Sequence, residues 1–112
     1  MPPFKKLEIK SCQTYVFEIF MAGDIDDCKR FLTKRASAVG DCWSVEPTEY
    51  IYSGGRELGF IVRRINYPRY PSSSSEIEYQ MIDLSKSLME ELGQGSCSLV
   101  GPENTVYLSR KK

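Results

Sequence analysis

The residue types that most often carry catalysis are scarce in this chain. Its 112 residues include no histidine, the side chain that most often acts as general base, metal ligand or proton switch near neutral pH. The four cysteines, Cys12, Cys28, Cys42 and Cys97, are far apart and form no C-x-x-C pair, so they lack the local ligand pairs of a zinc site. Cys28 and Cys97 fall in apolar patterns and are predicted to be buried. The sequence therefore predicts no catalytic residue, no metal and no cofactor.

A short acidic run and a glycine-containing turn are the next candidates for chemistry. Asp24, Asp26 and Asp27 could hold a metal ion, but their positions favour capping and charging the start of a helix. Residues 53–56, Ser-Gly-Gly-Arg, could bind an anion through backbone amides. They lack the phosphate-binding pattern G-x-x-x-x-G-K-S/T, and no helix pattern follows them, so a hairpin turn is favoured.

The most suggestive stretch for binding is the loop at residues 65–71, INYPRYP. Two prolines restrict its backbone, which lowers the entropy cost of presenting its side chains to a partner. Tyrosine and arginine are enriched at interface hot spots. The predicted partner-binding residues are Arg63, Arg64, Asn66, Tyr67, Arg69 and Tyr70. The alternative is that one tyrosine packs beneath the second helix while the prolines only end a strand.

Length and charge limit the classes of protein that fit. We expect one domain spanning residues 1–112, with residues 1–14 as either a poorly ordered leader or a short edge strand. The 15 basic and 15 acidic residues cancel, which disfavours a protein that wraps nucleic acid. No segment approaches the roughly 20 apolar residues of a membrane helix, and no apolar stretch follows the basic start as in a secretory signal. The simplest interpretation is a cytoplasmic protein with no membrane partner.

The hydrophobic pattern predicts the order strand, helix, strand, strand, helix, strand. The predicted elements are a central strand at 15–22, a helix at 25–39, strands at 42–53 and 59–67, a helix at 76–92 and a β segment from about 97. This order is typical of an α+β protein with ferredoxin-like βαββαβ topology, in which two helices pack on one face of an antiparallel sheet. An extra N-terminal or C-terminal strand is compatible with it.

Several local features of these elements leave alternatives open. Pro47 interrupts the second strand, which requires an edge position or a bulge. The turn after that strand is expected to run from Ser53 to Gly59. The second helix has two possible capping boxes, Ser73 with Glu76 or Ser75 with Glu78. The last β segment is either one bulged strand or a small hairpin.

Four strings give the chain a resemblance to a group of viral proteins. They are EIFMAGD at residues 18–24, VEPT at 45–48, YIYSGG at 50–55 and INYPRYP at 65–71. With these strings the chain resembles small accessory proteins of tailed phages and prophages, over about residues 15–108. The group has no assigned activity or catalytic residue. The resemblance implies an accessory protein that acts in the cytoplasm of a bacterial host, where many such proteins block host machinery or defence systems.

Three functional hypotheses follow from these observations. The first is a non-enzymatic protein that binds a host protein or protein complex, plausibly as an inhibitor, through the loop at residues 66–71 and the nearby sheet edge. The second is binding of single-stranded nucleic acid by sheet aromatics with Arg63, Arg64 and Arg69. The third is a small-molecule or enzymatic role that uses arginine and tyrosine groups at a subunit interface. Exposed sheet edges also make a homodimer an expectation.

Overall fold

A computed structural model describes residues 6–110 as a mixed chain of five strands and two helices. The elements are β1 (Val16–Ala22), α1 (Ile25–Val39), β2 (Ser44–Tyr52), β3 (Gly55–Ile65), α2 (Ser74–Leu92), β4 (Ser96–Val100) and β5 (Thr105–Ser109). Of the predicted N-terminal leader, residues 1–5 lie outside the described residues, and residues 7–14 form no strand. Neither helix of the described chain combines the length and hydrophobicity needed to cross a membrane.

The strands form one antiparallel sheet in the order β2-β3-β1-β4-β5. The prediction of an α+β protein with two helices packed on an antiparallel sheet is confirmed, and β1 is central as its apolar faces indicated. The sheet is not strictly ferredoxin-like, because a fifth strand extends it. The fifth strand, β5, pairs with β4 because the residues after Val100 turn back as a hairpin. In this turn the Gly101 amide donates to the Asn104 carbonyl at 2.9 Å.

The core lies between one face of the sheet and the two helices. Alternate residues of β1, namely Phe17, Ile19 and Met21, are buried on this face, as the period of two in a strand requires. In α2 the buried residues follow the spacing of a helical stripe. The helix residues that complete the core are Cys28, Leu32, Ile77, Met81, Leu84, Leu88 and Met89.

Both helices begin at side-chain caps. The Asp24 carboxylate accepts hydrogen bonds from the amides of Asp26 and Asp27 at 2.7 and 3.1 Å, so capping, the favoured interpretation, is confirmed. Helix α2 begins two residues before the predicted start, because Ser73 forms the capping box with Glu76. This selects the first of the two pairs that the sequence allowed.

The hairpin of β2 and β3 differs from the prediction at its turn. The turn is only two residues, Ser53 and Gly54, and β3 already begins at Gly55, so the expected longer turn up to Gly59 is wrong. Gly54 has a φ of 90°, which glycine adopts without strain and which permits a tight reversal. Pro47 stays in register opposite Phe60 because β2 is an edge strand.

The hairpin extends beyond the rest of the sheet. Pairing between β1 and β3 ends at Ala22 and Gly59, so residues 49–58, which we call the hairpin arm, have no third strand beside them. Ile51 and Leu58 of the arm are 76% and 73% exposed. The molecule measures 60 × 29 × 25 Å as a result.

Candidate functional site

A cavity of about 580 Å³ opens at the end of the sheet opposite the hairpin arm. It lies between the C-terminal end of α1, the end of β3, the loop that follows β3, and the middle of α2. We call it the Arg64 cavity. Its wall contains the aromatic residues Trp43, Tyr67, Tyr70 and Tyr79 and the charged residues Arg35, Asp41, Arg64, Arg69 and Asp83. A volume of this size, with aromatic rings and polar groups facing one space, is typical of small-molecule sites.

Arg64 is the most buried charged residue of this wall, with 5% of its surface exposed. It continues the inward-facing alternation of Phe60 and Val62 along β3, at the point where the strand leaves the cover of the helices. Its Nη1 donates to the Asp41 carboxylate at 2.8 Å and to Gln80 Oε1 at 3.0 Å, and its Nε donates to the Ile65 carbonyl at 3.1 Å. The guanidinium is therefore held in one orientation by groups from three parts of the chain.

Tyr67 lies beside Arg64 and serves as a hydrogen-bond donor. The Arg64 guanidinium carbon is 5.8 Å from the centroid of the Tyr67 ring, within the range of a cation–π contact. The Tyr67 hydroxyl donates to the Cys42 carbonyl at 3.3 Å. Burial and a hydrogen bond to the Cys42 thiol, at 3.4 Å, raise the pKa of Tyr67 to about 12. The hydroxyl is therefore protonated at neutral pH and cannot act there as a general base.

The outer wall of the cavity contains a second ion pair, between Arg35 and Asp83, and one further arginine, Arg69, that forms no ion pair with residues 6–110. Arg35 of α1 contacts the Asp83 carboxylate of α2 at 3.3 Å. Arg69 lies over the ring of Tyr70, 5.4 Å from its centroid, and has no carboxylate partner among residues 6–110. The three arginines and two aspartates of the wall thus leave one positive charge uncompensated.

The structure brings together four of the six predicted binding residues, Arg64, Tyr67, Arg69 and Tyr70, in the wall of this cavity. Their role in binding a partner stays a prediction. The loop carries two of the tyrosines to the cavity rim rather than under α2, so the alternative of a purely internal packing role does not describe Tyr70, which is exposed.

Arg63 lies on the opposite face of the sheet, as expected for the neighbour of Arg64 in a strand. Its guanidinium donates to Glu18 at 2.6 and 2.9 Å and to Glu46 at 2.7 Å. These hydrogen bonds raise the pKa of Arg63. Its charge is fully matched by the two carboxylates, so it has little capacity for a nucleic-acid phosphate. The nucleic-acid hypothesis otherwise stays a prediction.

Asn66 is buried and joins two segments of backbone. Its Nδ2 donates to the Gln13 carbonyl at 2.7 Å, and its Oδ1 accepts from the Ser72 amide at 2.9 Å. It therefore fixes the loop to the N-terminal segment and does not line the cavity. The prediction that it belongs to the same surface as Tyr67 does not match this placement, because both of its polar groups face the protein.

Sequence reasoning missed Asp41, Trp43, Tyr79, Gln80 and Asp83, which complete the cavity. Asp41 and Trp43 follow the glycine cap of α1, and the other three occupy the outward side of α2. No local pattern links these positions, because they meet only when the two helices pack. The sequence offered one hint of this part of the cavity: Asp41 directly follows the Gly40 cap and is two residues from Trp43, the chain's single tryptophan.

Other reactive side chains are placed for packing. Burial raises the pKa of Cys28 to about 12, and burial also raises the pKa of Cys97. Both thiols are therefore protonated at neutral pH, and the predicted burial of both is confirmed. Among residues 6–110, no three histidine, cysteine, aspartate or glutamate side chains converge as ligands for a metal ion.

Two solved structures share this fold, and both are of an enzyme encoded by a phage. The first is a phage SAM lyase in complex with S-methyl-5′-thioadenosine, with a TM-score of 0.70, 16% identity, and coverage of 93% of this chain and 95% of that one. The second is a phage SAM lyase in the apo state, with a TM-score of 0.64, 17% identity, and coverage of 88% and 90%. No protein-family model and no curated protein matches the sequence. The phage source of both neighbours agrees with the resemblance to phage proteins noted above.

These neighbours correct the main functional expectation. A non-enzymatic protein that binds a host macromolecule is contradicted, because the chains with this fold over nearly their whole length are an enzyme that acts on a small molecule. The expectation that the protein is not an enzyme is wrong on the same finding. The error arose from treating the absence of histidine as the absence of catalysis. The third hypothesis, a small-molecule or enzymatic role, agrees better with the neighbours.

Proposed function

We propose that this protein is an enzyme that binds S-adenosylmethionine (SAM), or a closely related sulfonium nucleoside, and cleaves a carbon–sulfur bond as a lyase. The observation that carries the proposal is the structural similarity to phage SAM lyase across 93% of the chain. The Arg64 cavity is the proposed binding site, because it combines a suitable volume with aromatic and charged walls. The phage resemblance supports action in the cytoplasm of a bacterial host.

The chemistry of a sulfonium substrate explains why such an enzyme needs no histidine. When the bond between sulfur and the amino-acid arm breaks, its electron pair stays on sulfur and the product is the neutral thioether S-methyl-5′-thioadenosine. The carbon that loses sulfur bonds to the arm's own carboxylate oxygen and closes a lactone, or it forms an alkene when the adjacent carbon gives its proton to water. The leaving group requires no proton, so a general acid is unnecessary. What the protein has to supply is orientation and a suitable electrostatic environment.

The aromatic wall suits both ends of such a ligand. Tyrosine and tryptophan rings can stack on an adenine base. The same rings attract a cation, with each contact contributing about 0.5–2 kcal/mol. The rings can therefore hold both the base and the sulfonium of the ligand.

Activity is tested by incubating the purified protein with SAM and measuring S-methyl-5′-thioadenosine by mass spectrometry. We expect product to form in proportion to protein concentration. If the purified protein neither binds nor cleaves SAM, the proposed function is wrong.

The location of the site is tested with matched tyrosine variants. Tyr79 of the cavity wall and Tyr107 of β5 are similarly exposed, at 74% and 68%, so neither replacement by alanine should unfold the protein. We expect Tyr79→Ala to raise KM for SAM by several-fold, because one ring of the wall is lost. Tyr107→Ala should leave KM unchanged. An equal effect of both variants, or an effect of Tyr107→Ala alone, would place the site outside the Arg64 cavity.

A further inference from the structure

One nitrogen of Arg64 has no hydrogen-bond partner among residues 6–110. A guanidinium has five N–H donors, one on Nε and two on each terminal nitrogen. Nε and Nη1 account for three of them through the Ile65 carbonyl, Asp41 and Gln80. No hydrogen bond joins Nη2 to any of residues 6–110.

The free nitrogen faces the Arg64 cavity. No fully buried side-chain nitrogen or oxygen of the described residues lacks a partner, so Nη2 must reach accessible space. Only 5% of the surface of Arg64 is exposed, and the open space that this residue lines is the cavity. Nη2 is therefore free to donate to an acceptor that enters this cavity.

The position of Nη2 is fixed before any ligand arrives. Asp41 and Gln80 hold Nη1 from two directions, and Asp41 is itself held because its Oδ1 accepts from the Cys42 amide at 3.0 Å. The ring of Tyr67 covers one side of the guanidinium. A donor that is already immobilised loses little side-chain entropy on binding, so its hydrogen bond to a ligand contributes more of its strength to affinity.

The charge of the wall points to an anionic acceptor. Asp41 pairs with Arg64 and Asp83 pairs with Arg35, which leaves the charge of Arg69 uncompensated at the rim. This surplus positive charge favours a negative group of the ligand near the arginines and disfavours a positive one there. Arginine donors and carboxylate oxygens form charge-assisted hydrogen bonds, which are stronger than those between neutral groups.

We propose that Arg64 Nη2 binds the carboxylate of the ligand's amino-acid arm, and that Asp41 and Gln80 are positioning residues that aim it. This rests on the proposed function, because it concerns the same cavity and the same substrate. It defines the substrate class as nucleosides whose sulfur carries a carboxylate-bearing arm. The same contact favours product release. S-methyl-5′-thioadenosine has no carboxylate, so it cannot form the hydrogen bond to Arg64.

The test uses two unreactive ligands that differ only in the carboxylate. They are S-adenosylhomocysteine and its decarboxylated analogue, which both have an uncharged sulfur and keep the ammonium group, and their affinities are measured by titration calorimetry or by the fluorescence of Trp43, which lines the cavity. We expect wild-type protein to bind S-adenosylhomocysteine roughly tenfold more tightly, the ratio that one charge-assisted hydrogen bond supplies. The affinity ratio reports the carboxylate contact itself, which a loss of general stability would not change.

Variants test whether Arg64 is responsible for the ratio of the two affinities. Arg64→Gln should bring the ratio close to one, and Gln80→Ala, on an exposed part of α2, should lower it several-fold with the fold intact. Gln80→Ala keeps the test decisive if Arg64→Gln does not fold. Arg63→Gln, the neighbouring arginine on the other face of the sheet, is the matched control and should keep the wild-type ratio.

The possible failures are distinguishable. Equal affinities of the wild-type protein for the two ligands, or a ratio that survives both cavity variants, would overturn the role of Arg64 while SAM cleavage stands. If neither ligand binds and SAM is not cleaved, the proposed function falls, and this inference falls with it.

Discussion

Arg63 and Arg64 show how adjacent residues of the same type acquire different roles. Alternation along β3 sends Arg63 to the open face of the sheet, where Glu18 and Glu46 take up its donors. Arg64 goes to the helix side, where Asp41 and Gln80 engage only one of its terminal nitrogens. The difference therefore comes from what the neighbouring strands and helices present: Arg63 lies between two carboxylates on the open face, whereas Arg64 is buried in the wall of the cavity.

The raised pKa of Tyr67 predicts a loss of stability at alkaline pH. In the unfolded chain a tyrosine ionises near pH 10, whereas in the folded protein its pKa is about 12. The folded state therefore holds the proton between these values while the unfolded state releases it, so the free energy of unfolding falls as pH rises from about 10 to 12. Below pH 10 both states are protonated and the contribution is constant.

This is measured by urea unfolding at a series of pH values. We expect Tyr67→Phe to unfold with a shallower pH dependence above pH 10 than the wild type. Part of the slope should remain, because burial also raises the pKa of Tyr50 and Cys28. Tyr79→Phe, on the exposed side of α2, is the control. An unchanged slope in Tyr67→Phe would mean that this hydroxyl is not held protonated by its surroundings.

At the level of elements, the sequence was most informative where local signals agreed. Helix α1 spans Ile25–Val39 as predicted, because an aspartate cap, an apolar stripe and a terminal Gly40 all point to the same bounds. The start of β3 was missed because residues 55–58 are all exposed, so they show no alternation of apolar and polar types. Strand pairing rather than burial determines the structure there.

The cavity was only partly predictable for a similar reason. The loop that contains Tyr67, Arg69 and Tyr70 has a local signature in its prolines and aromatics. Asp41 and Gln80 have none, because their importance depends on the packing of α1 and α2 against the end of β3. When the residues of a site come from separate elements, they have no characteristic spacing by which a single sequence could reveal them.

The cap of α2 gives a prediction at this scale. Ser73→Ala should lower the free energy of unfolding by about 1 kcal/mol, because its side chain accepts from the Glu76 amide at the helix start. Ser75→Ala is the matched control, since Ser75 belonged to the alternative capping box and caps nothing here. Thermal or urea unfolding measures both variants. A larger loss for Ser75→Ala would mean that α2 begins later than Ser74.

The whole molecule is longer than a chain of this size requires. Its radius of gyration is 16.3 Å, compared with about 13 Å for a compact domain of similar length. The hairpin arm accounts for the excess, because it projects beyond the helices. Ile51 and Leu58 therefore remain in contact with solvent although both are large and apolar.

The arm should contribute little to the stability of a monomer. We expect the double variant Ile51→Thr, Leu58→Thr to change the free energy of unfolding by less than about 0.5 kcal/mol, because neither side chain is buried. Ile77→Thr, at a fully buried position, should cost several times more. Urea unfolding at two protein concentrations measures these effects. A large, concentration-dependent loss in the arm variant would contradict the prediction and show that the arm is covered by a second copy, the homodimer that the sequence left open.

Strands β2 and β3 run from the Arg64 cavity to the bare turn at Ser53 and Gly54. Since β3 has 11 residues and a strand rises about 3.3 Å per residue, the turn lies roughly 30 Å from the cavity. An epitope or surface anchor inserted between these two residues would meet solvent and leave the Arg64 cavity untouched. A protein attached to a surface through this turn would therefore keep the Arg64 cavity accessible to compounds in solution.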